Sequence, residues 1–142
     1  MIKLTIATLA AVTLATAAGA AALTPTQIIQ RHEAAGAKAD VEAMVADYAD
    51  DAVVLQAGRT VQGKAAIRQL FTRMFPRDAS GAPAAGAIKI NVVRVWEEGD
   101  VGLVTWTSGD RKGLDSFLVK DGKIKVQAVF LNEANMQTGP VQ

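Results

Sequence analysis

Apolar positions along this chain recur with two periods. Up to Phe75 their spacing is helical, and from Ala87 to Leu131 it alternates. Thr24-Pro25-Thr26 opens a first helix, with Thr24 or Thr26 as cap and Pro25 tolerated in the first turn. It runs to about Ala37 and carries Ile28, His32 and Ala35 on one face. Gly36 and Lys38-Ala39 mark a tight turn into a second helix capped by Asp40, whose carboxylate can accept from free first-turn N–H groups. Val41, Met44, Val45 and Tyr48 follow at i, i+3, i+4 and i+7. That helix is expected to break at Asp50-Asp51, read as turn residues, and to become the strand Ala52-Val53-Val54-Leu55. After a turn over Ala57-Gly58-Arg59-Thr60 and a short strand over Thr60-Val61-Gln62, a third helix runs from Lys64 to about Phe75. Ile67, Leu70, Phe71, Met74 and Phe75 give it the best amphipathic stripe in the chain, and Pro76 ends it. Arg77 to Gly86 is rich in Pro, Gly and Ala and almost uncharged, which predicts a mobile loop and a candidate lid.

From Ala87 the pattern is that of strands. Ile88-Lys89-Ile90-Asn91-Val92 alternates and continues to Trp96. Val101 to Thr107, Leu114 to Lys120 and Lys123 to Leu131 follow, separated by turns at Glu97-Glu98-Gly99-Asp100, Ser108-Gly109-Asp110 and Asp121-Gly122. Asp-Gly is a strong two-residue hairpin signal, because both central positions of that turn need positive φ. Three helices around one early strand, then a long meander, predict an α+β fold with the helices on one face of a curved antiparallel sheet.

Composition bounds the chemistry. The 142 residues fit one compact domain, and the formal charge is +1, from 15 basic and 14 acidic residues. No basic block or basic–aromatic stripe is present, which argues against a nucleic-acid partner. The absence of cysteine excludes disulfides, thiolate nucleophiles and Cys-ligated metals, and a single histidine excludes a multi-histidine zinc site. Met1-Ile2-Lys3, an apolar stretch from Leu4 to Leu14 and small residues from Ala15 to Ala22 predict a signal peptide over residues 1–22. Cleavage fits after Ala18, Ala20 or Ala22. A membrane anchor is the weaker reading, since alanine and threonine make the stretch weakly hydrophobic and no charged stop-transfer patch follows. The domain is then 23–142, formally neutral once Lys3 is lost, with no stable membrane insertion and a periplasmic or secreted location.

Several motifs resemble a known family. Asp40-Val41-Glu42-Ala43, followed by Tyr48-Ala49-Asp50-Asp51-Ala52-Val53-Val54, resembles the helix-to-strand junction of bacterial ketosteroid isomerases. Gly63-Lys64-Ala65-Ala66-Ile67-Arg68 is similar to the start of their third helix, and Leu114-Asp115-Ser116-Phe117 with Gly122-Lys123-Ile124 to their last hairpin. Over about Thr26 to Asn135 the chain thus resembles the nuclear transport factor 2-like superfamily, which includes these isomerases and the SnoaL-like polyketide cyclases. The resemblance implies a cone-shaped curved sheet wrapped by three N-terminal helices, an enclosed apolar pocket and a homodimer formed through the sheet.

It also implies site residues. The isomerases use an aspartate base, with a tyrosine and a protonated aspartate as oxyanion donors. By position the base falls on Gln56, the tyrosine on His32, the donor aspartate on Asp115 and a supporting tyrosine on Phe71. A glutamine carboxamide cannot take a proton near neutral pH, which argues against steroid isomerisation. Asp115 lies among apolar strand residues, sharing a face with Phe117 and Val119. Burial there raises a carboxyl pKa unless a partner holds the charge, so Asp115 is either a general acid or base or a structurally bonded carboxylate. His32 is the one side chain with an unperturbed pKa near neutrality, and is either its proton-transfer partner or a packed core residue. Asp115 and His32 are therefore the catalytic candidates, and Gln56, Phe71 and Phe117 the substrate-binding ones. Trp96 and Trp106 face either the pocket or the dimer interface. The reading is a cofactor-free, metal-free isomerase, cyclase or hydratase acting on a small apolar molecule, with a non-catalytic ligand-binding or association module as the alternative.

Overall fold

A computed structural model describes residues 22–132. The predicted signal peptide lies outside the described residues except for Ala22. Three helices and six strands follow in the order α1 (Pro25–Ala37), α2 (Val41–Ala46), β1 (Tyr48–Gln56), β2 (Arg59–Gln62), α3 (Lys64–Met74), β3 (Asn91–Glu98), β4 (Val101–Ser108), β5 (Arg111–Lys120) and β6 (Lys123–Asn132). The strands form one curved open sheet of order β2-β1-β6-β5-β4-β3. All neighbours are antiparallel except β1 and β6, which run parallel. The α+β class read from the sequence is the observed one. No helix among the described residues is long and apolar enough to cross a membrane.

Local chemistry sets the helix ends. Thr24 caps α1 in a reciprocal box, accepting from Gln27 N–H at 3.3 Å while its own N–H donates to Gln27 Oε1 at 3.0 Å. Asp40 Oδ1 accepts from Ala43 N–H at 3.1 Å and starts α2. The turn between the two helices passes through Ala39, a buried residue in the left-handed region at φ 51°. Gly63, at φ 83°, leads into α3, whose buried stripe is Ile67, Leu70 and Phe71. The β5–β6 hairpin turns at Asp121 and Gly122, both at positive φ as the Asp-Gly signal requires.

Three local expectations are corrected. The second helix stops at Ala46, and Tyr48 is already in β1, paired with Ile124 of β6. Asp50 and Asp51 lie within β1 rather than in a turn, both exposed, Asp50 beside Lys64 at the start of α3 (3.3 Å) and Asp51 beside Lys125 of β6 (2.9 Å). The strand expected from Ala87 becomes regular only at Asn91, because the segment before it is tied to α3 through Ile88 N–H and Met74 C=O at 3.0 Å.

The helices cover one face of the sheet, and the core lies between them. Ile28 and Ile29 of α1, Val45 of α2 and Ile67 of α3 meet Tyr48, Val54, Val104, Phe117 and Ile124 from the inner face, all at most 1 % exposed. The outer face carries Leu103, Leu114, Leu118, Val126 and Ala128, half-buried, and Phe130, exposed. Trp96 pairs with Leu103 and so belongs to this outer face, with the Arg94 guanidinium 4.9 Å over its ring. Trp106 is on the inner face.

Candidate functional site

Where the helices part from the sheet, a cavity of about 940 Å³ opens. Its floor is polar: His32 and Glu33 from α1, Trp106 from β4, Asp115 from β5 and Gln127 from β6. Its walls are mainly apolar, with Met44 and Phe71 on the helices and Val129 and Leu131 on β6. Gln56 and Arg111 line it from the ends of β1 and β5. The segment expected as a lid forms a further wall through Pro83 to Ala87. Arg77 holds that segment in place, donating from Nε to Ala39 C=O at 2.8 Å, from Nη2 to Lys38 C=O at 2.9 Å and from Nη1 to Gly81 C=O at 2.7 Å.

Strand register builds the floor. Asp115 stands opposite Val104 on one side and Val129 on the other. Trp106 and Gln127, each two residues from those partners, are its diagonal neighbours on the same face, within reach of long side chains. Trp106 Nε1 donates to Asp115 Oδ1 at 2.8 Å, and Gln127 Nε2 donates to Asp115 Oδ2 at 2.7 Å. Behind them the Tyr48 hydroxyl donates to Gln127 Oε1. The carboxyl group is 7 % exposed and is held by two neutral donors, with no cation bonded to it.

Burial dominates the electrostatics. It pushes Asp115 above the ordinary carboxylate value, against the lowering effect of the two N–H donors and of His32. Glu33 is pushed up by burial as well, with His32 opposing and the charge of Asp115 adding. Tyr48 is raised well above 10.0, first by burial and then by the carboxylates around it, so its hydroxyl keeps its proton and remains a donor.

His32 is 3 % exposed and lines the same cavity. Its ring meets Tyr48, Phe71 and Phe117 with centroids 5.5, 5.7 and 5.9 Å away. Nδ1 points to Asp47, away from the cavity. His32, Asp115, Gln56 and Phe71 thus line one cavity. Asp115 bonds to Trp106 and Gln127 rather than to His32. Gln56 Oε1 is taken by Arg59 Nη2 at 2.5 Å, which leaves its amide N–H groups available. The expectation for Phe117 is corrected. Its ring is completely buried behind His32 and does not reach the cavity, because the imidazole stands between them.

Sequence reasoning passed over Glu33 and Gln127 as floor residues and left Trp106 open between pocket and dimer face, where the structure puts it in the cavity lining. It also passed over Asp47, which meets His32 from outside that lining. Glu33 had a visible signal, since Ile29, Glu33 and Gly36 fall at i, i+4 and i+7 on α1. Among the described residues no three His, Asp or Glu side chains are grouped to hold a metal ion.

A family model described as a SnoaL-like domain matches residues 29–127. No curated protein matches the sequence. Among solved structures, a candidate polyketide cyclase from Sinorhizobium meliloti is 24 % identical with a TM-score of 0.60, covering 72 % of this chain and 92 % of that one. A candidate ketosteroid isomerase from Kribbella flavida is 18 % identical at TM-score 0.62, covering 83 % and 82 %. An LEH-like epoxide hydrolase from M. tuberculosis is 18 % identical at TM-score 0.60, covering 79 % and 85 %. At these identities the likeness is one of fold.

Proposed function

The chain belongs to the SnoaL-like domain family of the nuclear transport factor 2-like superfamily, and on that premise we propose that it is an exported enzyme doing acid–base chemistry on a small apolar molecule. The observation that carries this reading is Asp115. It is a carboxyl group raised by burial, held by neutral donors only, on the floor of a largely apolar cavity it shares with the one histidine. A carboxyl pKa moved toward neutrality suits a group that gives or takes a proton at working pH. About 940 Å³ lies near the top of the roughly 300–1,000 Å³ usual for small-molecule sites.

In this reading a substrate lies with its apolar body against Phe71 and Met44 and its reacting carbon or oxygen over Asp115. Asp115 transfers one proton, His32 the other, and Gln56 orients the polar end through its free amide N–H groups. The solved neighbours described as a polyketide cyclase, an isomerase and an epoxide hydrolase make cyclisation, isomerisation and hydration the reactions to try. The test is turnover of polyketide-like enones, β,γ-unsaturated ketones and epoxides by the purified protein. Conversion that is lost in Asp115→Asn supports the reading. Conversion at the same rate in that variant refutes it.

A second reading has its own support. The base position of the isomerases holds Gln56 here, so the cavity could serve retention alone. Native mass spectrometry showing a co-purified apolar molecule that leaves chemically unchanged would favour it. A homodimer is proposed on the outer sheet face, where Phe130 is 58 % exposed among half-buried aliphatic neighbours. A sedimentation mass of one chain would refute that dimer.

A further inference from the structure

Buried polar atoms in folded proteins almost always have partners. Two among the described residues do not, Nδ1 of His32 and Oδ2 of Asp47. They face each other at 3.7 Å, on side chains 4 % and 1 % exposed. An aspartate with 1 % exposure between a helix and a strand is expensive unless it has a task.

Asp47 is held on every other side. Its backbone N–H donates to Met44 C=O at 3.2 Å, and its C=O accepts from Ile124 N–H at 2.8 Å. Its Oδ1 accepts from Arg31 Nε at 2.7 Å. The carboxylate cannot swing away, and its one unused oxygen points at the imidazole. Tyr48, Phe71 and Phe117 pack around the ring of His32, which lines the cavity although its Nδ1 does not reach it. The edge carrying Nε2 is the one left for a ligand.

We propose that Asp47 is a positioning residue for His32. It accepts the Nδ1–H, locks the imidazole in that tautomer and leaves Nε2 with a bare lone pair toward the cavity. A shift of roughly half an ångström brings the pair into hydrogen-bond range. Such a hydrogen bond on one ring nitrogen decides which state the other is in. The arrangement gives the cavity a proton acceptor in addition to the Asp115 carboxyl group. The use of that acceptor rests on the acid–base reading above, but the tautomer is a property of the ligand-free protein.

The other charged or titratable groups near the ring are Arg31 and Glu33 from α1, Tyr48 from β1 and Asp115 from β5. Glu33 and Asp115 act on it across space without a hydrogen bond to it. Asp47 is the carboxylate that meets Nδ1.

Because the chain has one histidine, long-range ¹H–¹⁵N NMR of the neutral imidazole reads His32 alone. The expected spectrum of the unaltered protein has the proton on Nδ1 and none on Nε2. In Asp47→Asn, Arg31 keeps an oxygen at the Oδ1 position, so the amide NH₂ takes the place of Oδ2. That group donates to Nδ1, and the imidazole proton moves to Nε2, inverting the tautomer. Arg31→Gln leaves Oδ2 untouched and should retain the original tautomer. A proton on Nε2 in the unaltered protein overturns the proposal. So does a folded Asp47→Asn protein with the tautomer unchanged. Should Asp47→Asn fail to fold, the unaltered spectrum decides by itself. Loss of this tautomer alongside turnover that still needs Asp115 would overturn the positioning role and leave the acid–base reading standing.

Discussion

Gly113 lies directly across from Trp106 in the β4–β5 pairing, and the indole ring occupies the space that a Cβ at Gly113 would need. A strand glycine often marks a close approach of this kind. The space it leaves lets the indole lie flat across β5 and bring Nε1 to Asp115. Gly113→Ala should therefore displace the ring and cost about 1–3 kcal/mol, the usual penalty of overpacking. Urea denaturation measures the loss. The emission of Trp106, isolated by Trp96→Phe, should shift in the same variant as the indole leaves its hydrogen bond.

Tyr48→Phe removes the donor to Gln127 Oε1, on a side chain that is buried. Leaving a buried acceptor unsatisfied costs about 1–3 kcal/mol. The melting temperature should fall accordingly. A variant as stable as the parent would show that the Tyr48–Gln127–Asp115 relay contributes nothing to the fold.

Glu33 gives a pH signature. Its carboxyl group holds a proton more readily in the folded chain than in the unfolded one, chiefly because it is buried. The stability from this group is fully present below the ordinary glutamate value of 4.5 and is lost as pH rises through the raised folded value. Glu33→Gln removes the ionisation, so this variant should be the more stable at neutral pH, with the advantage shrinking to nothing in acid. Thermal melts of both proteins across that range test the sign, and an advantage that grows on acidification would contradict it.

Asp115→Asn should fold, because the network can invert. With the new carboxamide presenting an N–H to the glutamine side, Gln127 turns its amide over and the Tyr48 hydroxyl becomes an acceptor. The circular dichroism of this variant should match the parent, and any turnover should drop to background. A collapsed variant would mean that the carboxylate holds β4, β5 and β6 together.

What could be read from the sequence was what short-range chemistry decides. The Thr24 and Asp40 caps, the α3 stripe and the Asp121-Gly122 turn involve residues within one or two turns of each other. The shared face of Asp115, Phe117 and Val119 needed only the strand period. Tyr48 fitted the α2 stripe at i+7, yet it is a strand residue because it pairs with Ile124, 76 positions away. No local pattern marks Asp47, since its partner Arg31 and its neighbour His32 both come from α1. The orientation of the two tryptophans and the donors to Asp115 depend on strand register, which no local pattern contains. Phe117 had the right face and the wrong depth, because depth was set by where His32 lay.

The parallel seam between β1 and β6 joins the first of the described strands to be made to the last of them. While β6 is still unsynthesised, the β1–β2 ribbon keeps an open edge and Asp115 lacks the Gln127 donor. Closure of the sheet thus waits until β6 has been made, and such long-range pairing slows folding. Until β6 is in place, neither the cavity floor nor the sheet that carries it is complete.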